Sequence, residues 1–374
     1  MMAGLCLAGV LILFHAWVGY PLSLTLIQLA RGRRHGGRRG DSTPTVALVI
    51  SAHNEERVLG AKLENSLELD YPRDRLRIVV VSDASTDATE AIARRFAARG
   101  VLLKTFPERR GKVACLNDVI PRLDAEIVVM SDANSLYRRD AIRMLVRHFE
   151  DPDVGCVCGE LLYVNPRGLA AGEGERTYWS YERAIKRMES ALEALLGANG
   201  AIYAYRRRLF RSVDPLMFCD DVIPIRIRLD GFQALYDPQA LCTEDAAPEG
   251  TEFQRRKRHA SFGMRSMLQV GREAVRARDV MVLYQCVSHR VLRWLGGIAL
   301  GMIAISSPYL PPGARLLAFW TQGLFYGAAL AGFVADRSGL KSRFLYLPHY
   351  FMVLTAAGLA GMAALLARTD TPYW

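Results

Sequence analysis

The chain has 374 residues, a formal net charge of +10 and 51% hydrophobic residues. This length accommodates two or three structural units, and the apolar content excludes a disordered chain. Seven cysteines, with no CxxC pair among them, exclude a disulfide scaffold and spell out neither a zinc knuckle nor a redox motif. The positive charge leaves three kinds of partner open: nucleic acid, an anionic membrane surface or a phosphorylated substrate.

Residues 3–30 contain no Asp, Glu, Lys or Arg, a stretch long enough to cross a hydrocarbon core of about 30 Å. It makes a poor signal peptide, because no positive charge precedes it and the basic run RGRRHGGRR (31–39) follows it. That run predicts a cytoplasmic C-terminal flank and an N-terminus outside. His15, in the middle of the apolar stretch, is either a functional polar group or a side chain packed on a neighbouring helix.

Four short runs rich in β-branched residues come next: Thr45–Ser51, Leu76–Ser82, Val101–Phe106 and Glu126–Ser131. They read as buried parallel strands. Helical patterns over 55–69, 86–99 and 111–123 separate them, so the fold expected is α/β with βαβ units and a mostly parallel sheet. In such sheets ligands bind beyond the carboxyl ends of the strands. Chemistry is therefore expected in AHNEE (52–56), SDASTD (82–87) and SDANS (131–135).

Asp83 can accept hydrogen bonds from a ribose or base, or serve only as a turn residue. Asp132 and Asn134, at i and i+2, can place two oxygens on one hard cation, although both residue types are also common turn formers. Lys112 opens a helix whose free N–H groups favour anions. No glycine-rich phosphate loop is present, which disfavours dinucleotide cofactors and P-loop chemistry.

Further along, GANGAIYAYRR (197–207) either lets a ligand approach the backbone or makes a tight turn. In FCDDVIPIRIRLDGF, Asp220 and Asp221 point about 100° apart on a helix. One can then act as a base while the other caps the helix, or both can simply favour the helix dipole. A helical stretch at 175–196 carries Trp179, which can stack on a sugar or pack in the core. Gln254, Arg255 and Arg258 belong to a cationic run that can hold a diphosphate or face lipid headgroups. Residues 262–293 mix basic and apolar side chains and are expected along the bilayer surface. Three further apolar stretches, 294–310, 316–335 and 344–367, read as spans, the first of them short.

The ordered set NEE, SDASTD, RRGK, SDANS, GANGA, DD and QRRKR, between one N-terminal and three C-terminal spans, resembles the membrane-bound family 2 glycosyltransferases. That group is inverting and includes bacterial exopolysaccharide synthases. The resemblance implies a GT-A fold, a Rossmann-like mostly parallel sheet forming a cytosolic domain flanked by transmembrane helices. It implies transfer of a sugar from a nucleotide-sugar, a UDP-sugar, to a membrane-proximal glycan or lipid-linked acceptor, in polysaccharide or glycolipid assembly. Ala52, Glu55, Asp83, Lys112, Asp132, Gln254, Arg255 and Arg258 match donor-binding positions. Asp132 and Asn134 match the site of a divalent metal, Mg2+ or Mn2+, with Asn134 standing where many members carry a second Asp. Asp221 matches the general base, and Asn199, Gly200, Asp220 and Trp179 fall on the acceptor side.

The Q-x-x-R-W sequence of processive members lacks its Trp here, which favours single additions over a polymerising synthase that secretes its product. A membrane-anchored nucleic-acid binder and a non-catalytic membrane scaffold keeping the fold are the readings from other classes. The domains expected are a transmembrane helix (1–30), a basic linker (31–44), the GT-A domain (45–263), interface helices (264–293) and three transmembrane helices (294–374). This topology places four spans in the inner membrane, with possible assembly or export partners.

The charge distribution fits the membrane rather than nucleic acid. The arm at 31–39 holds five arginines and no acid, residues 40–285 hold 36 basic and 36 acidic residues, and 286–374 hold seven basic and two acidic. The excess lies beside the apolar stretches, where it sets topology and attracts anionic headgroups.

Overall fold

The computed structural model describes residues 1–31, 40–164, 171–245, 252–338 and 343–368. Most of the basic arm, and part of the charged connection at 336–343, lie outside them. The catalytic unit is built on one eight-stranded sheet in the order β3-β2-β1-β4-β7-β6-β8-β5. Its strands are β1 (Val46–Ala52), β2 (Leu76–Ser82), β3 (Val101–Thr105), β4 (Ile127–Asp132), β5 (Leu136–Tyr137), β6 (Val154–Val164), β7 (Tyr203–Arg206) and β8 (Gln233–Asp245). The first four pair in parallel, whereas β7 runs antiparallel to both β4 and β6. This mixed, mostly parallel arrangement agrees with the sheet expected from the sequence.

β1 is buried along its whole length, as expected of a strand covered on both faces. The two-residue period of a strand sorts its side chains. Ala47 and Val49 join Val79, Val81, Val128 and Met130 on one face, and Val46, Leu48 and Ile50 join Val80, Ile127 and Val129 on the other. The second face is covered by helices α2 (Leu59–Leu67), α3 (Thr89–Arg95) and, after α4 (Lys112–Val119), by α5 (Ala141–Val146). The first face carries α4 itself and the later helices α7 (Cys219–Leu229) and α8 (Glu252–Ala277). α6 (Ala171–Ala191) crosses towards the N-terminal helix α1 (Met2–Arg31).

α1 is not an isolated anchor. Tyr20 and Leu24 are fully buried against Ile185, Leu192 and Ala194, so its second half is docked on the catalytic unit. His15 takes the packed alternative, with Nε2 2.9 Å from the Ser288 hydroxyl.

Among the described residues, three helices are long and apolar enough to cross a membrane: α1, Pro312–Ala335 within α11 (Pro312–Arg337), and Phe344–Ala367 within α12 (Arg343–Ala367). The expected span at 294–310 falls on one arm of a bent helix pair, which makes a fourth helical crossing only if its two arms are taken together. α9 (Val280–Trp294) and α10 (Gly296–Tyr309) meet at a bend of 59°. α10 alone, at about 1.5 Å per residue, is shorter than the hydrocarbon core. Helix α8 also runs unbroken across the expected boundary at 263. Its Met267, Val270 and Ala274, with Val282 and Cys286 of α9, sit in the catalytic core rather than in a separate interfacial layer.

Candidate active site

β1, β2 and β4 run parallel and end on the same edge of the sheet, and the last residue of β4 lines a cleft of about 360 Å³. Asp132, the last residue of β4, contacts the ammonium of Lys112, the first residue of α4. Burial alone would lower the Lys112 pKa, yet the Asp132 carboxylate beside it holds it above its ordinary value. The lysine is thus a fixed cation at the strand end.

Asp83 organises the loop that delivers that lysine. Its carboxylate oxygens accept the backbone N–H groups of Arg110 at 2.7 Å and Gly111 at 2.8 Å. Gly111 has a φ of +87°, a left-handed conformation that side chains rarely adopt. Asp83 is 2% exposed, so most of its hydrogen-bonding capacity serves the loop. Ala52 is equally buried, and its carbonyl accepts the Asp83 N–H at 3.0 Å. Glu55 lies in the same strand-end layer, where burial, then Asp132, pushes its carboxyl pKa up.

Across the cleft, α7 begins with the two adjacent acids. Gly200 is the point at which the sides meet: a Cβ built there would lie 3.6 Å from Asp132 Oδ2 and 3.5 Å from Asp220 Oδ2. Burial, with the neighbouring Asp221 charge, raises the Asp220 pKa to about 6. Glu244 of β8 also lines the cleft, and burial together with Asp132 pushes it up to about 7. Acid charge is therefore crowded around Asp132.

Asp221 turns away from that crowd, as helical geometry requires of adjacent positions. Its Oδ1 pairs with Arg290 Nη2 at 2.8 Å. Gly197 makes room for the pair, since a Cβ there would stand 2.8 Å from both atoms. Gly197→Ala is accordingly expected to force the two apart and lower kcat by about tenfold or more, with the nucleotide affinity retained; steady-state kinetics beside nucleotide titration checks this.

Asn199 is held rather than free, donating from Nδ2 to the Gly159 carbonyl at 2.8 Å and contacting Lys186 through Oδ1. Trp179 borders the cleft with its ring 5.3 Å from that of Tyr163. Arg255 and Arg258 line the cleft, whereas Gln254 is exposed and does not. Asn134 is also exposed and outside the lining. Arg290, Glu244 and Lys186 were not anticipated. Each comes from an element far away in sequence, and only the apolar context of Arg290 in 280–294 signalled anything unusual.

Among the described residues, no three His, Cys, Asp or Glu side chains are placed to hold a metal ion on their own. The crowding of Asp132, Asp220 and Glu244 nevertheless suits a cation whose remaining ligands come from a bound diphosphate.

Residues 47–214 match the family model "Glycosyl transferase family 2". This segment is a family 2 glycosyltransferase domain. The chain is also 30% identical over 152 residues to a beta-monoglucosyldiacylglycerol synthase of Synechocystis sp., a match covering 38% of this chain and 32% of that protein. It is 25% identical over 237 residues to the poly-beta-1,6-N-acetyl-D-glucosamine synthase of Staphylococcus aureus, covering 61% and 57%. The chain thus matches less than two thirds of the length of either relative. A mannosyltransferase from Pyrobaculum calidifontis, solved with GDP-Man and Mn2+, superposes with a TM-score of 0.74 at 25% identity over 99% of this chain and 100% of that one. The family model ends before Asp220, so Asp220 and Asp221 lie outside the matched segment and are located only by the geometry of this chain.

Proposed function

We propose that this glycosyltransferase is membrane-bound and inverting, and moves a sugar from a nucleoside-diphosphate sugar to a hydroxyl acceptor held near the bilayer. The observation that carries this reading is the meeting of Asp132 and Asp220 around Gly200, with Lys112 on one side and Asp221 on the other. A donor diphosphate would lie against Lys112, Arg255 and Arg258, which counter the charge of the leaving group. Ala52, Glu55 and Asp83 would border the nucleoside, Asp83 mainly by fixing the loop.

Asp221 would take the acceptor proton as its oxygen attacks the anomeric carbon and the bond to the diphosphate oxygen breaks. Attack from the face opposite the leaving group inverts the configuration. Asn199, Gly200, Asp220 and Trp179 would shape the acceptor side. Asp132, with Asp220 or Glu244 beside it, would hold a divalent ion, with Asn134 at most an outer ligand. Such an ion would supply positive charge to the diphosphate when bound.

The donor is a UDP-sugar or, favoured by the GDP-Man complex of the 0.74 superposition, a GDP-sugar. A panel of both donors, incubated with the full chain in membranes, tests the reading. Release of the nucleoside diphosphate from one donor, abolished by EDTA, is the expected result. No turnover of any donor, with lipid extract or oligosaccharide as acceptor, would refute it.

Proton linkage supplies a further expectation. The folded pKa values of Asp220 and Glu244 lie above their ordinary carboxylate values, so the folded chain binds these protons more tightly than the unfolded one. Stability from this source is present at low pH and is lost as pH rises through about 6 and 7. A divalent ion competes with the same protons, so Mn2+ should raise the Tm more at about pH 8 than at about pH 5. Thermal melts with and without Mn2+ check the sign.

A further inference from the structure

Two cavities follow the cleft in series on the side of the apolar helices, only the first of them sharing lining residues with it. The nearer, about 130 Å³, is polar and is lined by Asp221, Arg256, Arg290 and Arg293, with Trp17 and Leu354 at its far wall. The next, about 400 Å³, shares Trp17 and Leu354 with it and is otherwise walled by apolar and aromatic side chains, including Tyr181, Phe325, Leu347 and Phe351. Its polar surface is almost nil. The walls come from α1, α11 and α12, the helices long and apolar enough to cross a membrane, and from α6 of the catalytic unit. Tyr181 ties the two parts together by donating its hydroxyl to the Trp17 carbonyl at 2.6 Å.

The shared lining residues make a graded series. Hydrocarbon walls come first, then a polar chamber, then the Asp221 carboxylate and the donor cleft. We infer that the apolar crevice seats the hydrocarbon tail of a lipid alcohol, whose hydroxyl lies in the polar chamber at Asp221 and is the acceptor. This deepens the reading above and rests on it, naming the acceptor class for the same site. A water-soluble glycan would leave the crevice unfilled, whereas a lipid reaches it from between the spanning helices without leaving the bilayer. The cations of the chamber are already engaged within the chain, Arg290 with Asp221, Arg293 with Glu182 and Arg256 with the Tyr350 hydroxyl. In the transfer, the lipid oxygen bonds to the anomeric carbon, the sugar–diphosphate bond breaks with its electron pair on the diphosphate, and the hydroxyl proton goes to Asp221.

The test uses the full chain in detergent with the donor found active, and glycerol or monoacylglycerols of increasing chain length as acceptors. Each added methylene in the crevice is expected to lower KM about fourfold until the crevice is filled, with glycerol nearly inactive. Leu347→Arg, which places a charge in the crevice away from Asp221, should raise the KM of the longest acceptor by tenfold or more. The affinity for the nucleoside diphosphate should stay as in the wild type. A monoacylglycerol with a tail diazirine should photolabel peptides of 347–354 in the wild type and lose that labelling in Leu347→Arg, a readout independent of turnover.

Transfer to a soluble oligosaccharide with no dependence on tail length overturns the inference while leaving the glycosyltransferase reading intact; no donor turnover at all defeats the parent reading instead. Labelling elsewhere than 347–354 also overturns it. An alkyl phosphate accepted in preference to the alcohol, by Asp221→Asn as well as the wild type, overturns the hydroxyl head.

Discussion

Asp221→Asn is expected to lower kcat by about 100- to 10,000-fold, the usual range for removal of a general base, while leaving nucleoside diphosphate affinity within about twofold of the wild type. The carboxamide is isosteric and can still accept a hydrogen bond from Arg290, which lies 2.8 Å from the carboxylate. It cannot take a proton from the acceptor. Asp221 pairs with Arg290 and takes no part in the contact between Lys112 and Asp132, so the donor contacts survive. Single-turnover transfer, measured beside calorimetric titration of UDP and GDP, separates the two effects. Retention of transfer in this variant would reassign the proton acceptor, and Asp220, with its pKa raised to about 6, would be the next residue to replace.

Asp83→Ala is expected to cost about 2–4 kcal/mol of stability and to abolish donor binding. The carboxylate is the partner of two backbone donors, those of Arg110 and Gly111. Removing a buried partner leaves each donor with a desolvation penalty of about 1–3 kcal/mol. The methyl group also leaves a void next to Cys115, whose thiol lies 3.3 Å from Asp83 Oδ1. The loop then loses the shape that starts α4 at Lys112, and the contact between Lys112 and Asp132 goes with it. Denaturant unfolding measures the stability loss. Asp83→Asn keeps one acceptor oxygen and should restore roughly half of the stability. An Asp83→Ala variant that remained as stable as the wild type would show that the loop is held by other means.

Local chemistry made much of this architecture legible. β2 occupies the predicted residues Leu76–Ser82, β3 differs from prediction by one residue at one end, and β1 and β4 are each shifted by one residue. Runs of Val and Ile bounded by turn residues have few alternatives once helices separate them. The polar residues of the strand ends were legible for the same reason, because parallel strands place their carboxyl ends on one edge. Asp132, Asp220 and Lys112 do meet there. The second half of the catalytic unit was less readable. Arg290 reaches Asp221 across 69 positions of sequence, and no periodicity encodes such a contact. Glu244 lies in a strand that continues away from any recognisable motif. The break between α9 and α10 is flanked by Arg293 and by Gly296 and Gly297, but hydropathy is blind to direction and carries no angle.

The division follows from the range of the forces. The sequence by itself determined the class of sheet, the apolar helices, the location of the charge excess and the identity of the strand-end acids, since each depends on neighbours within a few residues. Only the tertiary structure decided that α1 is docked on the catalytic unit through Tyr20 and Leu24, that Asp83 is turned inward to hold the loop of Lys112, and that Asp221 faces Arg290 beside a chamber leading to apolar walls. Those outcomes depend on which buried surfaces and polar groups satisfy one another across the whole chain, and that is settled by packing rather than by local pattern.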